Sequence, residues 1–113
     1  MNNQKNIVLC GVGGQGTVLA SKLLAVAAMS KDIPVMSAET IGMAQRGGSV
    51  FSHLRMGTDL YSPMIETGTA DLIIGFEPGE TVRMLPYLKT GGHVVVSTRA
   101  VKPVTATLSG FDY

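Results

Sequence analysis

The sequence predicts an α/β fold: a mostly parallel sheet flanked by helices, with a β-hairpin inserted in its middle. Three observations carry the prediction. Apolar runs of strand length recur at residues 7–10, 70–76 and 93–97. Between them lie segments whose apolar residues repeat at helical spacing. A glycine cluster, Gly11-Val12-Gly13-Gly14-Gln15-Gly16, stands where the first strand gives way to the first helix.

Each element follows from its residues. Ile7-Val8-Leu9-Cys10 is a continuous apolar run stopped by Gly11, the pattern of a strand covered on both faces in a parallel sheet. Residues 17–29 place Val18, Leu19, Leu23, Val26 and Ala27 at helical spacing while Lys22 and Ser30 point elsewhere, which gives one apolar stripe. A helix of about 15 residues spans roughly 22 Å, enough to cross back over a sheet and return a parallel strand at residues 34–37. That crossover is expected to be right-handed. Residues 38–48 mix polar groups with glycine and show no clean period, so they read as a functional loop with room for one helical turn. Residues 49–56 alternate loosely, and Gly57-Thr58-Asp59 offers a turn toward Leu60-Tyr61, which predicts the hairpin. Residues 70–76 form the next strand. Pro78 and Glu80 open a short helix through Leu88, which Gly91-Gly92 is expected to end. Residues 93–97 are the last clear strand, and residues 102–108 add an edge strand. The pattern as a whole is Rossmann-like. With 113 residues it reads as one domain, 1–113, cut short at its C-terminus because no closing helix covers the last strand.

Composition excludes several classes. Nine Lys plus Arg against eight Asp plus Glu leave a charge of +1, too little field to hold nucleic acid or an anionic membrane. No run reaches the roughly 18 apolar residues of a membrane span and no targeting signal is read, so a cytoplasmic location is expected. A single cysteine, Cys10, supplies neither a disulfide nor a thiolate cluster, and in an apolar strand it reads as inert packing. No metal site and no catalytic residue is assigned. Ser49 and Ser52 lack a strained nucleophile elbow, and His53 and His93 lack an accompanying acid or cysteine pattern. The seven methionines are spread over several elements and read as adaptable core and interface filling, which leads to an expectation of self-association in the isolated chain.

The glycine cluster satisfies G-x-G-x-x-G after a strand and before a helix. Gly11 would permit a tight turn, Gly13 a close approach of phosphate, and Gly16 close packing of helix on strand. With Gly14 and Gln15 these are the candidate cofactor-binding residues, alongside Glu39 at the end of the second strand, where an acid would hold a ribose. The plainer readings are packing for the glycines and a cap for Glu39. Glu77 and Glu80, at the end of the 70–76 strand, read as favourable charge at a helix N-terminus.

A larger pattern absorbs more of the chain. The glycine cluster, the stretch Ser37-Ala38-Glu39-Thr40-Ile41-Gly42-Met43-Ala44-Gln45-Arg46-Gly47-Gly48-Ser49-Val50, and Ala70-Asp71-Leu72-Ile73-Ile74-Gly75-Phe76-Glu77-Pro78 together resemble the gamma domain of 2-oxoacid:ferredoxin oxidoreductases, in particular the beta subunits of the indolepyruvate branch. The resemblance runs from Asn6 to about Pro103. It implies a small subunit of an enzyme complex that decarboxylates an arylpyruvate such as indolepyruvate, passes electrons to ferredoxin and releases an acyl-CoA. It implies that thiamine diphosphate and the iron–sulfur (4Fe-4S) clusters sit in a large partner subunit, that CoA serves the complex, and that this chain alone holds no cofactor. It also places Gln45, Arg46, Gly47 and Gly48 on a loop facing the partner or the active site, where the Arg46 guanidinium would meet a carboxylate or phosphate. The alternative is a stand-alone Rossmann-type dinucleotide-binding module using Gly11, Gly13, Gly16 and Glu39.

Overall fold

The computed structural model describes residues 4–12, 16–41 and 49–97. Along the chain these form β1 (Lys5–Val12), α1 (Thr17–Met29), β2 (Val35–Ile41), β3 (Ser49–Met56), β4 (Ala70–Gly75), α2 (Pro78–Met84), a single 3-10 turn (Leu85–Tyr87) and β5 (Leu88–Val96). The five strands make one sheet in the order β2-β3-β1-β4-β5. β3 is antiparallel to both β1 and β2, while β1, β4 and β5 are mutually parallel. Four strands therefore share one direction and β3 alone opposes them: a mixed α/β sheet, mostly parallel, with a hairpin set into it.

The hairpin joins different strands from those expected. β3 pairs with β2 through Val35↔Met56 to Ile41↔Val50, and Leu60-Tyr61 belongs to no strand. The physical reason lies in burial. β3 carries Ser52, His53 and Leu54 at 0% exposure and so belongs in the middle of a sheet, whereas Tyr61 is 88% exposed and has no core to enter. β2 likewise continues through Ile41, so residues 38–41 are strand and not loop. At the other end, the helix after Pro78 stops at Met84. Gly91 and Gly92 lie inside β5, where the ladder to β4 shifts register between Ala70 and Leu72. The edge strand expected at residues 102–108 lies outside the described residues.

Alternation along the strands creates two apolar layers. Ile7, Leu9 and Leu54 face one side, where Ala20, Leu24 and Ala25 of α1 close over them with Val35, Met56, Leu72 and Ile74. Val8, Cys10, Ala70 and Ile73 face the other, covered by Ile65, Phe51, Met84, Tyr87 and Leu88. Full burial of a side chain such as Leu9 is worth about 1.5–3 kcal/mol. The two helices lie on opposite faces. The chain leaves β1 over one face toward β2 and leaves β4 over the other face toward β5, so both crossovers have the same hand.

The amino-terminal edge of the sheet is held by polar groups. Arg55 donates from Nε to Asn6 Oδ1 (3.0 Å), from Nη1 to the Ser62 carbonyl (2.9 Å) and from Nη2 to Gln4 Oε1 (3.2 Å). The Asn6 backbone N–H donates to Asp71 Oδ2 at 2.8 Å, and Lys89 forms an ion pair with Asp71. Burial alone would raise the Asp71 carboxyl, but Lys89, the Asn6 N–H and Lys5 outweigh it and hold it below the usual carboxylate value. No described helix is long and apolar enough to cross a membrane.

Candidate functional site

Parallel α/β sheets offer ligands the crevice at the carboxyl ends of the strands, where neighbouring connections depart in opposite directions. Here that switch point lies between β1 and β4. Val12 ends β1, Gly75 ends β4, and the Phe76 N–H donates to the Cys10 carbonyl at 2.8 Å, closing the two strands at the floor of the crevice.

On the β1 side stands the glycine cluster. Gly11 is not the turn residue expected: it is a buried β1 residue opposite Val50, and the strand runs on to Val12, opposite Ser49. Gly16 is the N-cap of α1 at φ +87°, a left-handed conformation that glycine adopts without a Cβ penalty, and its carbonyl accepts the first helical bond from Ala20 N at 2.8 Å. Gly13, Gly14 and Gln15 lie outside the described residues, as do Gln45, Arg46, Gly47 and Gly48. The flanking residues of this second segment are placed: Ile41 pairs with Val50, and Ser49 with Val12, so it departs from and returns to the same edge of the sheet as the glycine cluster.

Glu39 does not join them. It is exposed on β2 opposite Ser52, which itself stands opposite Leu9 of β1. In a dinucleotide fold the strand carrying the ribose-binding acid lies beside the strand carrying the glycines. Here β3 intervenes, so two strand spacings of about 4.8 Å, roughly 10 Å in all, separate Glu39 from β1. This geometry opposes the dinucleotide alternative.

On the β4 side, Glu77 and Glu80 fill the role of helix-terminal charges. Glu77 is the N-cap of α2, with no exposed surface, and its Oε1 accepts from the Glu80 backbone N–H at 2.9 Å. Glu80, 3% exposed, accepts from Ser49 Oγ at 2.8 Å. Thr81 Oγ1 donates to the Glu77 carbonyl at 2.8 Å. Gly75 makes this packing possible, because a Cβ there would stand 1.7 Å from Thr81 Oγ1. Burial pushes the Cys10 thiol up to about 11, with Glu80 and Glu77 adding to the shift and Thr81 opposing it. Cys10 is therefore a neutral thiol and serves as core.

His53 and His93 both lie in strands, His93 exposed on β5 and His53 wholly buried in β3. His53 Nδ1 accepts from the Ile65 N–H at 2.8 Å, which places the proton on Nε2. The ring sits between Phe51 (centroids 5.5 Å apart) and Tyr87 (5.3 Å, edge to face), and burial lowers its pKa. Thr17, the first residue of α1, was not singled out by its sequence context. It is 2% exposed, and its Oγ1, like Ser52 Oγ, is buried without a hydrogen-bond partner. A hydroxyl directly after the glycine cluster was the available signal. Among the described residues, no three or more of His, Cys, Asp and Glu converge as a metal-binding group.

A glycine-rich β1–α1 junction at the switch point of a mostly parallel sheet with a helix on each face defines a Rossmann-like α/β domain. The chain belongs to the pyruvate ferredoxin/flavodoxin oxidoreductase family, whose model matches residues 6–112. It is 45% identical over 108 residues to the indolepyruvate oxidoreductase subunit IorB of Pyrococcus horikoshii, covering 96% of this chain and 54% of that one. The chain thus spans about half the length of the curated relatives it matches. Its fold matches the gamma subunit of a keto/oxoacid ferredoxin oxidoreductase from Geobacter sulfurreducens PCA, with a TM-score of 0.64, 24% identity, and coverage of 88% of this chain and 56% of that one. It also matches the 2-oxoglutarate:ferredoxin oxidoreductase of Magnetococcus marinus, a structure with 2-oxoglutarate, coenzyme A and succinyl-CoA bound, at a TM-score of 0.75 and 20% identity over 88% of this chain and 17% of that chain.

Proposed function

We propose that this chain is part of the small subunit of an indolepyruvate (arylpyruvate) ferredoxin oxidoreductase acting in the cytoplasm. The observation that carries the reading is 45% identity over 96% of the chain to a protein named as an indolepyruvate oxidoreductase subunit. The complex cleaves the bond between the carboxylate and the keto carbon, releases carbon dioxide, joins the remaining acyl group to CoA, and passes the electrons to ferredoxin. Thiamine diphosphate and the iron–sulfur clusters belong to the large partner subunit. Cys10 is the chain's one cysteine and is buried in β1, so the residues here do not fit a cluster.

The small subunit contributes surfaces. Gly13, Gly14, Gln15 and Gly16 serve an anionic group, a role supported by Gly16 at the start of α1 and by the unpartnered Thr17 hydroxyl that follows it. Gln45, Arg46, Gly47 and Gly48 face the partner, Arg46 offering a planar guanidinium to a carboxylate or phosphate. The positions of Val12, Gly16, Ile41 and Ser49 at one sheet edge support a joint site.

The test is reconstitution. The chain, mixed with the purified thiamine- and cluster-containing large subunit, is assayed for indolepyruvate- and CoA-dependent reduction of ferredoxin. Activity that requires both proteins supports the reading, and a large subunit equally active alone refutes it.

A further inference from the structure

At the amino ends of β1 and β4 the sheet carries a hollow of about 530 Å³, lined by Lys5, Asn6, Arg55, Glu66, Asp71 and Lys89 among others. A row of polar contacts crosses it from β3 to β5. Arg55 donates to Asn6 Oδ1, the Asn6 backbone N–H donates to Asp71 Oδ2, and Lys89 pairs with Asp71 Oδ1. Both oxygens of Asp71 are thus engaged. The remaining two cations are not neutralised: among the described residues neither Lys5 nor Arg55 has an ion-pair partner. Arg55 gives one N–H from each guanidinium nitrogen to a neutral acceptor, namely Asn6 Oδ1, the Ser62 carbonyl and Gln4 Oε1, and keeps a second N–H on Nη1 and on Nη2. The other carboxylate of the lining, Glu66, is exposed, so water and salt screen it. The hollow therefore holds a surplus of positive charge. Asp71 registers that surplus, since Lys89 and Lys5 help to hold its carboxyl below the usual value against the effect of burial.

We propose that this hollow binds a small hydrophilic anion, whose carboxylate or phosphate oxygens accept hydrogen bonds from the spare Arg55 N–H groups and from the Lys5 ammonium. The chemistry of the lining selects this class. A planar guanidinium fork matches carboxylate and phosphate oxygens, and a flexible ammonium beside it adds a second donor of the same sign. No aromatic or large apolar side chain lines the hollow, so an apolar ligand would take charged groups out of water and offer them nothing in return. The volume lies within the roughly 300–1,000 Å³ usual for small-molecule sites. The hollow is also separate from the site described above. It opens at Lys5, whereas the glycine cluster follows Val12, seven residue rises or about 23 Å along β1. The inference therefore stands apart from the proposed function.

Amide chemical-shift titration of the isotopically labelled chain tests this, with sodium phosphate and sodium succinate as separate probes and sodium chloride at matched ionic strength as the control. The expected result is saturable shifts at Asn6, Thr69 and Asp71, and a melting temperature that rises with the same probe. Saturation by phosphate alone assigns a phosphorylated ligand, and saturation by succinate alone a carboxylic acid. Lys5→Glu and, separately, Arg55→Lys should each weaken binding by at least about threefold, while Lys22→Glu, at an exposed position on α1, should leave it within about twofold of the wild type. Melting in chloride unchanged from the wild type confirms that Lys5→Glu folds. Shifts that do not saturate, or that chloride reproduces, overturn the inference. So does wild-type affinity in both Lys5→Glu and Arg55→Lys.

Discussion

Ser49 Oγ donates to Glu80 Oε1 at 2.8 Å, tying the first residue of β3 to the first turn of α2 across the end of β1. The bond joins the two halves of the sheet at the switch point, one carrying α1 and the other α2. Ser49→Ala would leave a buried carboxylate oxygen without that donor and is expected to cost about 1–3 kcal/mol. Urea denaturation reads this as a lower midpoint with an unchanged slope, and an unshifted midpoint would show that the bond is dispensable.

Gly75 has a mutational signature that separates close packing from general fragility. Gly75→Ala drives a methyl into Thr81 Oγ1 and Cγ2, and the expected loss is about 1–3 kcal/mol or more. Adding Thr81→Ala removes both of those atoms and should recover part of the loss, so the double-mutant cycle should show favourable coupling. Simple additivity would mean that the contact does not limit stability.

His53 makes the fold sensitive to mild acid. Its pKa in the folded chain lies below the usual 6.5 because the ring is buried, so the unfolded chain binds the proton more readily. The neutral-histidine contribution is complete above pH 6.5 and declines as pH falls from there through the lowered folded-state value. Chemical denaturation across that range should show stability rising with pH, and His53→Phe should flatten the slope. An unchanged slope in the variant would place the effect elsewhere.

Arg46 is the residue whose loss should separate function from folding. In the reconstituted complex, Arg46→Ala is expected to reduce indolepyruvate turnover by roughly tenfold, because a single guanidinium-to-anion contact is worth about that much. The melting temperature of the chain should not change. Arg46→Lys should recover only part of the activity, since an ammonium lacks the planar fork. Full activity in the alanine variant would remove Arg46 from the site.

The place of α1 was legible because a glycine cluster starts it and its apolar positions repeat at the helical period through Met29, although its 13 residues fall short of the roughly 15 expected. Its orientation was not. Of the predicted stripe, Leu19, Leu23 and Val26 face outward, and Ala20, Leu24 and Ala25 meet the sheet. A period reports that a helix has an apolar face, but not whether that face meets this sheet or another body. The insertion of β3 between β1 and β2 was hidden for a different reason. Pairings such as Leu9↔Ser52 and Glu39↔Ser52 are long-range, and the local turn signal at Gly57-Thr58-Asp59 pointed to a nearer partner. Among the site residues, Glu77 and Glu80 could be placed from Pro78 and the strand before it. The Ser49–Glu80 bond could not, because its two residues lie 31 positions apart.

Val12 and Ser49 form the last rung of the β1–β3 ladder. The glycine cluster departs from one side of that rung, and the Gln45–Gly48 stretch returns to the other. The two segments that carry the family resemblance are therefore anchored at paired residues. Glu80, gripping Ser49 from α2, acts as the brace that keeps this joint from yielding.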